Sequence, residues 1–231
     1  MKTKTSIVLL ASLISFGGLF GENLPLTQEE QAALTPQEVL QRLMDGNARF
    51  QAGETSDPNV EKRVQASAGG QYPEAVILSC LDSRVPPELV FDSGIGDIFV
   101  GRIAGNIEND DLLGSMEFAT ALSGARLVMV LGHTSCGAVR GACDGAEFGH
   151  LTGLLEKIEP AIEQVEDFDE DERSGTNSEF VDAVAAENVL LTMANIREKS
   201  EILAELEESG DIMIVGGIYD LGTGSVTLLE E

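Results

Sequence analysis

Ala75-Val76-Ile77-Leu78-Ser79-Cys80-Leu81-Asp82-Ser83-Arg84 passes from an unbroken apolar run directly into a thiol, a carboxylate and a guanidinium. The run reads as a buried strand, and the cluster behind it is chemically over-equipped for a turn. A second run, Leu127-Val128-Met129-Val130-Leu131, closes in the same way on Gly132-His133-Thr134-Ser135-Cys136. Two strand ends that deliver soft ligands can meet at one edge of a parallel sheet. The two stretches therefore read as halves of one metal site.

Around these strands the pattern alternates between sheet and helix. Thr35-Pro36-Gln37-Glu38 is a capping box with proline in the first helical position, and Gly53 ends the helix it opens. Strands are expected over about 75–80, 97–101, 126–131, 212–218 and 225–229. Helices are expected over 110–123, 150–165 and 177–199, continuing through 200–208 to Gly210. Another helix should start near Cys136, where Gly137 and Gly141 point to close approach of a backbone or a metal. This order predicts an α/β fold: a mainly parallel β-sheet with an antiparallel edge strand, flanked by helices, with an N-terminal helical arm. Residues 35–231 should form one domain, preceded by a mobile polar segment over 22–34.

Residues 1–21 have the layout of a signal peptide, with Lys2 and Lys4 ahead of an apolar stretch from Ile7 to Phe20. That stretch is short of the roughly 20 residues a spanning helix needs, so cleavage is favoured over a membrane anchor. The mature protein is thus expected to be periplasmic or secreted, with no stable membrane insertion. The chain carries 40 acidic and 14 basic residues, a net charge of −26, which repels nucleic acid and anionic membrane alike. The acidic run from Glu163 to Glu172 lacks the turn glycine of a dedicated calcium loop and reads as a solvated loop or frayed helix end. Of the three cysteines, Cys143 is left over as a small packed residue, because an odd thiol fits no intrachain disulfide framework.

Zinc accepts thiolate and imidazole ligands, and a catalytic zinc typically keeps three protein ligands and one open position. Cys80, His133 and Cys136 supply such a set, with one Zn2+ per subunit. A structural zinc would want a fourth ligand, for which only Cys143 and His150 remain, and His150 reads as an ordinary surface or helix-start residue. Asp82 beside Arg84 forms a charge-assisted pair that keeps the carboxylate an acceptor, as the orientation of a metal-bound water requires.

Cys-x-Asp-Ser-Arg followed some fifty residues later by His-x-x-Cys resembles the β-class carbonic anhydrases, over about Thr35 to Leu229. The resemblance implies zinc ligation by Cys80, His133 and Cys136, and a catalytic dyad of Asp82 and Arg84. It implies hydration of carbon dioxide to bicarbonate and a proton through a zinc-bound hydroxide. It further implies a homodimer or dimer of dimers with active sites at the subunit interface. In the plant-like branch of that family the substrate is bound by residues that correspond to Gln71, Phe99 and Phe118, the last a phenylalanine where that branch has a tyrosine. A bicarbonate-gated branch carries a tryptophan where this chain has Ile77, although Arg102 and Tyr219 match its other two positions. The non-allosteric branch is therefore expected. Two rival readings are a carbon disulfide or carbonyl sulfide hydrolase on the same scaffold, and a non-catalytic zinc-binding protein. The second of these has no use for Asp82 and Arg84.

Overall fold

The computed structural model describes residues 23–230, so the signal segment expected over 1–21 lies outside the described residues. Five strands form one sheet in the order β2-β1-β3-β4-β5: β1 (Ala75–Ser79), β2 (Ile98–Arg102), β3 (Leu127–His133), β4 (Met213–Tyr219) and β5 (Val226–Leu228). The first four run parallel, and β5 pairs antiparallel with β4. Every residue of β1 and β3 is buried, which is why their sequences are nearly continuous apolar runs. At the open edge, the first four residues of β2 are half-buried.

The helices in chain order are α1 (Gln28–Ala33), α2 (Pro36–Ala52), α3 (Val60–Ser67), α4 (Pro87–Val90), α5 (Asp110–Glu117), α6 (Gly137–Cys143), α7 (His150–Leu155), α8 (Glu159–Gln164), α9 (Ser178–Lys199) and α10 (Glu201–Glu208). One sheet face, with Val76, Leu78, Val128 and Val130, packs on α5, α9 and α10. Ala75, Ile77, Leu127 and Met129 face the opposite layer, where Val39, Leu40 and Leu43 of α2 cover them. A third cluster gathers Cys80 and Cys136 with Val139, Ile158, Phe180 and Val184, so the metal-ligand cysteines sit in packed apolar surroundings. The α/β expectation with a parallel centre and an antiparallel edge therefore holds.

Three local expectations do not hold. The segment 22–34, read as a mobile polar arm, contains α1, with a capping box between Thr27 and Glu30. Gln31 of this helix is buried, and its amide donates to the carbonyls of Pro73 and Ser123 at 2.7 and 2.8 Å. A buried amide must find such partners, and they tie the helix to the sheet. The single helix expected over 150–165 is two, α7 and α8. Pro160, without an N–H and with a ring that crowds the preceding turn, sits where the second begins, and Ile158 at the break turns fully into the core. No backbone approaches the glycines of α6: a Cβ at Gly137 would meet no protein atom within 4 Å, and one at Gly141 would meet only side chains, Leu155 at 3.4 Å and Ala146 at 3.9 Å.

Gly46 is where close approach matters. A Cβ there would lie 2.0 Å from the backbone oxygen of Phe91, so α2 rests directly on the chain leaving α4. Gly46→Ala is expected to destabilise by about 3 kcal/mol because backbone, rather than a mobile side chain, must yield. That corresponds to a Tm lower by roughly 10 °C. An unchanged Tm would show that the two segments part without cost.

Glu74 just ahead of β1 is buried, and desolvation raises its pKa above the ordinary 4.5 although Arg42, at 2.6 Å, pulls the other way. The folded protein therefore holds this proton more tightly than the unfolded chain. Its contribution to stability is present at low pH and is lost as pH rises from about 4.5 through the raised value. The Tm of Glu74→Gln relative to the native protein should thus climb with pH across that window. A difference that is flat with pH would refute this.

Candidate metal centre

Register brings the two motifs together. Ser79 of β1 pairs with Leu131 of β3, so Cys80, the next residue, leaves the sheet level with Gly132 and one residue short of His133. Gly132 is required at that level: a Cβ would lie 2.6 Å from Val189 of α9 and 2.9 Å from Ile218 of β4. After His133 the chain makes a tight excursion in which Ser135 has φ +53, a left-handed conformation that non-glycine residues seldom adopt. Cys136 follows as the cap of α6. The Ser135 N–H donates to the Asp182 carboxylate of α9 at 2.6 Å, and the Thr134 hydroxyl accepts the Leu221 N–H, so the turn is held from both sides.

Cys80, His133 and Cys136 are buried, and their ligand atoms all lie within 4.8 Å of one another. The two sulfurs are 3.9 Å apart and both cysteines are free thiols. Two sulfurs on one tetrahedral zinc at about 2.3 Å each would be about 3.8 Å apart, so the spacing fits. His133 adds an independent sign. Its Nδ1 lies 2.9 Å from the Thr134 carbonyl oxygen, whereas Nε2 is buried with no hydrogen-bond partner. Donation from Nδ1 fixes the tautomer that leaves the Nε2 lone pair free for a metal. An orphaned imidazole nitrogen facing two thiols is costly without a cation and satisfied with one.

Backbone N–H groups surround the sulfurs. Cys136 draws down the Cys80 pKa by hydrogen bonding, with further lowering from His133 and the N–H groups of Asp82 and Gly105. Cys136 is raised in turn, as expected for two sulfurs sharing one proton. Cys143 has no part in this: burial pushes it up to about 11.

Asp82 points back toward the ligands. Its Oδ2 is 3.9 Å from His133 Nε2, while Arg84 grips both carboxylate oxygens, Nε to Oδ1 at 2.9 Å and Nη2 to Oδ2 at 2.6 Å. The Arg84 backbone N–H adds a third bond at 2.9 Å. The Arg84 side chain thereby holds the Asp82 pKa down to about 2, so the carboxylate is ionised at any ordinary pH.

The proposed substrate residues are placed differently. Phe99 and Phe118 meet edge to face at 6.1 Å. They line a cavity of about 540 Å³ along β2 and α5 whose walls include none of the metal ligands. Phe99 pairs with Val76, so it lies four residues below Cys80, about 13 Å along the strand. Gln71 is exposed ahead of the opposite end of β1 from Cys80, next to Tyr72 and Leu122. A substrate pocket formed by Gln71, Phe99 and Phe118 around the metal is therefore not assembled within a single chain. The strand geometry is the reason, because the whole of β1, Ala75–Ser79, lies between Gln71 and Cys80.

Supporting contacts come from outside the two motifs. Arg102, which the sequence singles out only as a match to the bicarbonate-gated branch, donates to the carbonyls of both Cys80 and Asp82 and clamps the loop between them. Asp182 and Asn188 reach the centre from α9. No spacing rule links them to the motifs.

Comparison with known proteins agrees with this geometry. The carbonic anhydrase family model matches residues 75–226. Carbonic anhydrase 2 of Mycobacterium tuberculosis is 36% identical over 195 residues, covering 82% of this chain and 90% of the relative. The carbonic anhydrase of Mycolicibacterium smegmatis is 37% identical over 193 residues, covering 80% and 89%. Among solved structures, the β-carbonic anhydrase CafA of Aspergillus fumigatus superposes with a TM-score of 0.65 at 26% identity, over 84% of this chain and 90% of that one. Likeness on this scale, resting on a two-thiol, one-imidazole centre at the carboxyl ends of β1 and β3, means that the chain belongs to the β-class carbonic anhydrases.

Proposed function

We propose that this protein catalyses the reversible hydration of carbon dioxide to bicarbonate and a proton, with zinc held by Cys80, His133 and Cys136. The observation that carries this reading is the carboxylate of Asp82, fixed by Arg84 at the mouth of a three-ligand cluster. A metal-storage site would need only the ligands. When bound, zinc would act as a Lewis acid that lowers the pKa of a coordinated water toward about 7. Asp82 is ionised and can only accept, so it orients the attacking water by taking a hydrogen bond from it. Arg84 keeps that carboxylate in place and unprotonated. Arg102 fixes the peptide that carries Asp82, and the packed residues around both cysteines exclude bulk solvent.

The test is stopped-flow carbon dioxide hydration on the purified protein, paired with metal analysis. Turnover should track zinc content, disappear with a chelator and return with added zinc. A fully zinc-loaded protein without hydration activity would sink the reading, and release of hydrogen sulfide from carbon disulfide by that same preparation would favour the rival hydrolase.

The same reading takes the working unit to be a homodimer or dimer of dimers. Its support is the open edge of β2 with half-exposed Phe118 beside it, and the distance of Gln71 from the metal ligands of its own chain. A second copy would be needed to bring such residues to one pocket. Sedimentation should give a dimer or larger, and an active monomer would refute this. The bond between Asp82 and Arg84, together with Ile77 in the core, supports the plant-like, non-allosteric branch. A sigmoidal bicarbonate response would count against it. We further infer export with cleavage of the N-terminal segment, readable by cell fractionation and N-terminal sequencing; an intact N-terminus on cytoplasmic protein would overturn it. Among the described residues, no helix is long and apolar enough to cross a membrane.

A further inference from the structure

Helix α9 carries a buried amide where its packing would accept a hydrocarbon. Asn188 is 1% exposed and lies on the face that presents Val184, Ala185 and Val189 to the core. Burying an amide is costly unless it is bonded, and an apolar side chain of similar shape would avoid that cost. The amide does one visible thing: Nδ2 donates to the Gly105 carbonyl at 2.8 Å, across a buried gap between elements 83 residues apart in sequence. Its Oδ1 has no partner among the described groups, so this single bond accounts for the residue.

Gly105 is itself tightly specified. It holds φ +73 and ψ 12, a left-handed conformation strained for any residue with a Cβ, and a Cβ there would also press on the end of the Ile158 side chain at 2.7 Å. Its N–H donates to the Cys80 sulfur at 3.4 Å in a buried setting. The carbonyl held by Asn188 and the N–H on the sulfur flank the same α-carbon. With the glycine's dihedrals set, fixing one of these groups fixes the other.

We propose that Asn188 is a positioning residue for the metal centre, which aims the Gly105 N–H at the Cys80 sulfur and so sets how strongly that sulfur donates to a bound ion. A hydrogen bond to a thiolate withdraws charge from it and leaves the cation a stronger Lewis acid. Two anionic ligands would otherwise blunt the metal, and this bond offsets part of their charge. The inference rests on the zinc-hydratase reading for its biological meaning, but its test does not depend on hydration.

Cadmium-113 substituted into the native protein reports the bond directly, through scalar coupling between the metal and the Gly105 amide proton across the Cys80 sulfur. The coupling should be present in the native protein and lost in Asn188→Ala and Asn188→Leu. In the cobalt-substituted variants the sulfur-to-metal charge-transfer band should move to longer wavelength, and zinc affinity should fall about 10-fold to 100-fold. Ser200→Ala serves as control. Ser200 is buried and caps α10 beyond the far end of α9, so this change should lower Tm without moving the band. Absence of the coupling in the native protein would overturn the proposal even if no Asn188 variant folds. A variant that loses stability but keeps the native band and zinc affinity would reduce Asn188 to a packing residue. Failure of the hydratase reading would appear differently, as native coupling in a protein that does not hydrate carbon dioxide.

Discussion

Replacing His133 with alanine is expected to leave a folded protein that neither retains zinc nor hydrates carbon dioxide. The imidazole is fully buried, and it contributes the only nitrogen among the three converging ligands. Loss of an outer partner of a metal ligand typically costs 10-fold to 100-fold in affinity, so loss of the ligand itself should cost more than about 100-fold. Stability should respond in a characteristic way. Removing the buried imidazole leaves the same cavity whether or not zinc is bound. The metal-free Tm should therefore change much less than the zinc-loaded Tm, which also loses the stabilisation from binding. Metal analysis, calorimetry with and without zinc, and stopped-flow kinetics would check this. His150→Ala, at the exposed start of α7, should change none of these quantities. A zinc-replete, active His133→Ala protein would remove the basis of the site.

Asp82→Asn should behave in the opposite sense, retaining zinc and losing turnover by about 10²-fold to 10³-fold, the range seen when one preorganised polar contact to a reacting group is removed. The amide is nearly isosteric with the carboxylate, yet it presents donors where only acceptors serve. The three N–H groups with which Arg84 grips the carboxylate would then face a neutral side chain that offers one oxygen. Because the native carboxylate titrates near pH 2, it is ionised throughout the neutral and alkaline range, and the loss should be of similar size across that range. Arg84→Lys should fall between the two, because a lysine cannot reproduce the planar fork. Full activity in a zinc-loaded Asp82→Asn protein would refute the role given to the dyad.

The contrast between these variants separates what the metal motifs state openly from what they conceal. Cys80, Asp82 and Arg84 lie within five residues, and His133 and Cys136 within four, so local sequence displays nearly all the chemistry. The strands that carry them are legible because burial on both faces admits only apolar residues. Thr35-Pro36-Gln37-Glu38 announces its helix just as plainly, and the box forms as read. Elsewhere the local signal misled. Thr27 and Glu30 spell the same kind of box as Thr35 and Glu38, but the polar residues around them read as a mobile arm, because the two distant carbonyls that Gln31 bonds are invisible in the local sequence. Pro160 falls inside the single helix expected over 150–165, and Ile158 turning into the core marks where the chain restarts.

Sequence by itself determined the class of sheet, the identity of the three ligands and the pairing of Asp82 with Arg84, because each depends on residues that are neighbours in the chain or on an apolar run of one strand. Tertiary structure alone decided three other things. It set Cys80 level with Gly132, it placed Gln71 at the far end of β1, and it brought Arg102, Asp182 and Asn188 against the ligand loops. These depend on strand register and on the seating of α9 across the sheet. Both are fixed by the summed packing of side chains far apart in sequence, and no short stretch of the chain encodes such a sum.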